Sequence, residues 1–180
     1  MRYTDRSMKR DPLDIVASAL APLSLRGKTV LAACSGGADS TFLLVALSRL
    51  RSRFGFDLVA CTVNHRIRPD SESALDADFV ESLAATLEPA VICVRKDLAA
   101  GEVDRVNRER GKGLEEAARH VRYRAFAEAR KATGADRVMT GHNRDDRAET
   151  VLMRFLTGKG GSALSGSARE RGEYFRPLLD

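Results

Sequence analysis

No run of apolar residues in this chain is long enough to cross a bilayer, and the opening segment, Met1 to Lys9, is polar and mixed in charge. The sequence therefore shows neither a membrane span nor a signal peptide, and a cytoplasmic protein is expected. Cysteine is scarce: Cys34, Cys61 and Cys93 each sit alone in an apolar run, and none belongs to a Cys-x-x-Cys pair. That spacing argues against a disulfide framework or a zinc site and for small buried thiols. The dinucleotide fingerprint Gly-x-Gly-x-x-Gly is missing as well. Gly27-Lys28-Thr29 looks like the end of a Walker A loop, but Pro22 stands where the first glycine belongs, and a strand pattern follows it instead of preceding it.

What remains is a chain of 180 residues, ordinary for one domain with a full core. Thirty Lys and Arg against twenty-five Asp and Glu give a net charge of +5. This balance suits an RNA partner and is also common in plain basic proteins.

Apolar spacing predicts alternating elements. A leading helix is expected over Leu13 to Leu23, a buried strand over Lys28 to Cys34, a helix over Thr41 to Leu50 and a strand over Leu58 to Val63. Leu75, Phe79, Val80, Leu83 and Leu87 predict a helix face, and Ala90 to Val94 a third strand. Arg95 to Gly113 is polar and glycine-containing and reads as a long loop. Leu114 to Phe126 predicts a helix, Arg137 to Thr140 a strand and Asp145 to Leu156 a helix, with a glycine- and serine-rich stretch at Gly158 to Gly166. Such alternation predicts an α/β fold: a doubly wound, mainly parallel sheet with helices on both faces, whose ligands bind beyond the carboxyl ends of the strands.

Three polar segments fall at those ends: Ser35-Gly36-Gly37-Ala38-Asp39-Ser40, Asn64-His65 and Gly141-His142. The first joins a strand to a helix. Unpaired amides at a helix start carry the positive end of the macrodipole, and two glycines let an anion approach, so this is a phosphate site. Ser35 and Ser40 add hydroxyl donors, and Asp39 is explained by a Mg²⁺ ion held between it and phosphate oxygens. Farther on, Asp145 and Glu149 are four residues apart with Asp146 beside them. They can hold a metal or a cationic substrate group, and acids at a helix start also stabilise its dipole. His142 is a candidate acid or phosphate ligand. Arg119 is a candidate to brace a phosphate, with Arg122 and Arg124 read as solvated.

In order, Ser35 to Ser40, Val63-Asn64-His65 with Arg68-Pro69-Asp70-Ser71, Leu114 to Arg119 with Arg122-Tyr123, His142 with Asp145-Asp146 and Ala148-Glu149-Thr150, and Arg176-Pro177-Leu178-Leu179 resemble the motifs of tRNA(Ile)-lysidine synthetases. These are members of the N-type ATP pyrophosphatase, or PP-loop, superfamily. The resemblance runs from about Lys28 to Asp180. It implies an arm and leading helix over residues 1–27, an ATP pyrophosphatase domain over 28–180, and the absence of the family's C-terminal tRNA-binding portion from this chain.

It also implies a reaction. ATP, with Mg²⁺ on Asp39, adenylates the wobble cytidine of an isoleucine tRNA with a CAU anticodon, and free L-lysine then displaces AMP. Ser35, Gly36, Gly37, Ala38, Asp39, Ser40, Asn64 and His65 would hold the nucleotide, Asp39, Arg119 and His142 would act in catalysis, and Asp145, Asp146 and Glu149 would hold the lysine. Where the family usually has histidine, glutamine and glycine, this chain has Asn143, Arg147 and Arg66. The alternatives are a tRNA thiolase of the same superfamily, whose paired cysteines are missing here, and a noncatalytic nucleotide-binding module.

Overall fold

The computed structural model describes residues 11–64, 70–141 and 169–179. Among them six strands form one sheet in the order β3-β2-β1-β4-β6-β5. The first four are β1 (Thr29–Ala33), β2 (Asp57–Asn64), β3 (Ile92–Asp97) and β4 (Arg137–Thr140), all parallel. The fifth and sixth are β5 (Glu170–Arg171) and β6 (Tyr174–Phe175). β6 is parallel to β4, while β5 folds back antiparallel to β6 through a turn at Gly172.

Strand side chains alternate between faces, and β1 supplies both layers of core. Val30 and Ala32 face a cluster with Leu20, Leu43, Leu47 and Val80. Leu31 and Ala33 face a second cluster with Val103, Val106, Val121 and Phe126. The first layer is covered by α1 (Pro12–Leu20), α2 (Ala38–Phe54) and α3 (Asp70–Thr86), the second by α4 (Glu102–Arg110) and α5 (Leu114–Thr133). This is the expected doubly wound sheet. The winding runs outward from β1 through β2 to β3 and then returns to β4 on the other side of β1, so the switch point lies between β1 and β4.

Several expected elements are corrected. α1 opens on Asp11, whose carboxylate accepts the Leu13 amide at 2.9 Å, with Pro12 in the first turn. It ends at Leu20 instead of Leu23 because Pro22 cannot continue a helix. On α3 the buried face is Ala77, Val80 and Ala84, and Leu75 and Phe79 are exposed. β3 runs on through Arg95 to Asp97, since an edge strand tolerates polar side chains: Arg95 binds Asp78 at 2.6 Å and Glu81 at 3.1 Å on α3. The segment expected as a long loop contains α4, bounded by Gly101 and Gly111 in the left-handed conformation. Only Val103 and Val106 mark its buried side. Of the three thiols, Cys34 and Cys61 are buried and Cys93 is half-buried.

Candidate active site

The loop after β1 is built by local geometry. Gly36 has φ +85°, and a Cβ there would lie 3.2 Å from Asp76 Cβ and 3.3 Å from its carbonyl oxygen, so the turn runs tightly against α3. Gly37 is the N-cap of α2, which therefore begins at Ala38 rather than Thr41. Ala38, Asp39 and Ser40 form its first turn, where backbone amides have no acceptor within the helix. Ser40 closes the loop: its hydroxyl donates to Gly37 O at 2.9 Å and accepts the Ser35 amide at 3.1 Å. With that hydrogen on Gly37 O, the 3.2 Å bond between the two hydroxyls is donated by Ser35, so both serines are tied within the loop and the backbone amides are left as its donors.

Beside this loop is a cavity of about 280 Å³. The loop contributes Ser35, Gly37, Ala38, Asp39 and Ser40; the end of β4 contributes Thr140 and Gly141; α5 contributes Arg122 and Phe126. β1 and β4 are the strands flanking the switch point, where an open α/β sheet leaves a crevice.

The sequence predicts a solvated Arg122, and the structure corrects this by placing it half-buried in the cavity wall. Burial, and secondarily the neighbouring Arg119, pull its guanidinium below the usual range, partly opposed by Tyr123. It still carries its charge at neutral pH, and an anion in the cavity would offset that cost of desolvation.

Arg119 is not among the residues lining this cavity. It lies in a separate cleft of about 510 Å³ with Tyr123, Tyr174 and Arg176. Residues three apart on a helix diverge by about 60° around its axis, which is enough to send Arg119 and Arg122 into different openings. Asn64 is 4% exposed, and its side-chain amide donates to Asp97 at 3.0 Å, turned toward β3. His65, Arg66, His142, Asn143, Asp145, Asp146, Arg147 and Glu149 lie outside the described residues, as do the arm before Asp11, the expected helix from Asp145 and the Gly158 to Gly166 stretch. Among the described residues no group of three or more His, Cys, Asp or Glu is placed to hold a metal, and no helix is long and apolar enough to cross a membrane.

A family model described as a PP-loop domain matches residues 12–180. The chain belongs to the PP-loop family. The match begins at the start of α1, whose Val16, Ala19 and Leu20 are fully buried in the first core layer.

Curated PP-loop relatives narrow the comparison. The tRNA(Ile)-lysidine synthase of Treponema pallidum is 45% identical over 150 residues, covering 83% of this chain and 31% of that protein. The tRNA(Ile)-lysidine synthase of Treponema denticola is 39% identical over 160 residues, covering 89% and 33%. That of Deinococcus deserti is 42% identical over 166 residues, covering 92% and 29%. The chain thus spans about a third of the length of these relatives. Among solved structures, the U34-tRNA thiolase NcsA from Methanococcus maripaludis, with its [4Fe-4S] cluster, superposes with a TM-score of 0.69. It covers 92% of this chain and 56% of that one at 19% identity, a likeness of fold.

Proposed function

We propose that this chain is the ATP-using part of a tRNA(Ile)-lysidine synthase, an AMP-forming carbon–nitrogen ligase that joins lysine to the wobble cytidine of an isoleucine tRNA. The observation that carries the reading is the cavity of about 280 Å³ at the switch point, where the first turn of α2 and Arg122 face one space. Its residues fit a polyphosphate: amides at a helix start and a guanidinium are anion donors. Identity of 39–45% to curated lysidine synthases supports the particular reaction.

In this reading the cytidine carbonyl oxygen attacks the α-phosphorus of ATP, the bond to the bridging oxygen breaks, and pyrophosphate leaves. The lysine side-chain amine then attacks the ring carbon, loses a proton and expels AMP. A carbonyl oxygen leaves poorly, and adenylation makes it the oxygen of a good leaving group. The loop amides cradle the departing pyrophosphate, and Arg122 stands against the charge that develops at phosphorus. A magnesium ion, when bound, would neutralise phosphate charge, and Asp39 is the carboxylate in the cavity that would hold it. His142 acts at the α-phosphate, and Asp145, Asp146 and Glu149 receive the lysine ammonium; these roles rest on the resemblance.

The test is incorporation of labelled lysine into an isoleucine tRNA with a CAU anticodon, in the presence of ATP. The amide variants Asp145→Asn, Asp146→Asn and Glu149→Gln should weaken lysine use and leave lysine-independent, tRNA-dependent pyrophosphate release largely intact. Equal losses in both steps would make the acidic cluster a metal site or a structural helix start.

A further inference from the structure

The larger cleft, beside α5 and the β5–β6 hairpin, is not used by the chemistry above. We infer that it grips a single-stranded RNA nucleotide flanking the one that reacts, with the stacked pair Arg119–Tyr123 as its platform and Arg171 on the phosphate backbone. The inference rests on the tRNA reading and adds a place for the chain of the substrate outside the phosphate cavity.

Three observations carry it. First, the cleft contains an organised aromatic surface. The Arg119 guanidinium lies over the Tyr123 ring, 5.0 Å from its centroid, and the Tyr123 and Tyr174 rings are 5.0 Å apart at 49°. Tyr174 is fixed by its hydroxyl, which donates to Tyr123 O at 3.2 Å. Bases splayed from single-stranded RNA stack on such rings and on guanidinium planes.

Second, the charge is positive. The two acids lining the cleft are paired with arginines that do not line it: Glu116 with Arg110 at 3.6 Å and Glu173 with Arg130 at 3.8 Å. Arg119 and Arg171 have no ion-pair partner among the described residues, and both are exposed. Third, the cleft adjoins the phosphate cavity. Tyr123 in the cleft meets Phe126 of the cavity edge-on, with ring centroids 6.2 Å apart, so both openings share one helix. An aromatic floor under unneutralised arginines, next to a polyphosphate site, fits a nucleotide better than an acidic peptide, which would use the charge and ignore the rings.

The experiment titrates the chain with a fluorescent isoleucine anticodon stem-loop and, separately, with an ATP analogue, across a salt series. Arg119→Glu, Arg171→Glu and Tyr123→Leu should each weaken RNA binding by about tenfold or more, with ATP affinity kept. The arginine variants should lower the salt slope by roughly 0.7 for each RNA phosphate they no longer neutralise. Tyr123→Phe, which keeps the ring, should bind RNA like the parent and guards against loss of fold in the leucine variant. Parental RNA affinity in the charge-reversed variants would overturn the cleft and leave the tRNA reading standing. Weakened binding in the arginine variants but not in Tyr123→Leu would reduce it to a plain anion surface and overturn the nucleotide assignment. A parent that binds the ATP analogue but no RNA would overturn both the cleft and the tRNA substrate.

Discussion

Gly141 lies on the backbone of Ser40: a Cβ at Gly141 would come within 2.8 Å of both the Ser40 Cα and its nitrogen. The end of β4 and the first turn of α2 are thus pressed together at the switch point, with no room for a methyl group. Gly141→Ala must therefore displace backbone and not a flexible side chain. The expected outcome is a loss of about 1–3 kcal/mol in denaturant unfolding, the usual cost of overpacking, together with weaker ATP binding because the loop amides are re-aimed. Parental stability and nucleotide affinity would mean that this contact does not set the loop.

Arg122 and Arg119 should separate in nucleotide assays. With Arg122 facing the loop cavity, Arg122→Ala should slow pyrophosphate formation by about a hundredfold or more, the scale of one missing transition-state donor. Arg119→Ala should keep tRNA-independent ATP affinity close to the parent's, since its side chain opens into the other cleft. The reverse pattern, measured by ATP titration and by pyrophosphate release, would return the phosphate role to Arg119.

Cys61 and Cys93 should be inert near neutrality. Burial foremost, with Cys93 nearby, pushes Cys61 up to about 12, and burial followed by Glu81 pushes Cys93 up to about 11. For Cys93 that is about a hundredfold less thiolate than at the ordinary value of 9.0, so alkylation by iodoacetamide at pH 8 should be correspondingly slow. The raised values favour the protonated form in the fold. Their stabilisation is complete below 9.0 and is lost as pH rises through about 11 and then 12. A folded Cys34, Cys61, Cys93→Ala variant should retain turnover. Abolished turnover would point to sulfur chemistry.

The parallel sheet was legible because buried strands and amphipathic helices alternate at clear periods, and β1 and β4 fell where expected. The loop at Ser35 to Ser40 was legible from strand, glycines and helix in succession. What stayed hidden depends on contacts distant in sequence. α4 shows only Val103 and Val106 to the core, too few for a periodic signal, and its flanking glycines read as loop. The sorting of Arg119 from Arg122 depends on what packs beside each face of α5: Phe126 and Thr140 for one, Tyr123 and Tyr174 for the other. The spacing predicts Ser40 as a ligand donor, since nothing in it reveals that Gly37 O takes its hydrogen.

The proposed role of the cavity at the head of α2 is to activate an RNA by adenylation. Pyrophosphate release from ATP, measured with and without isoleucine tRNA and without lysine, tests it most directly. Release should require tRNA, stop at one pyrophosphate per active site until lysine is added, then continue to one per tRNA, and vanish in Asp39→Ala. Release that proceeds equally without tRNA, or that Asp39→Ala leaves unchanged, would contradict it.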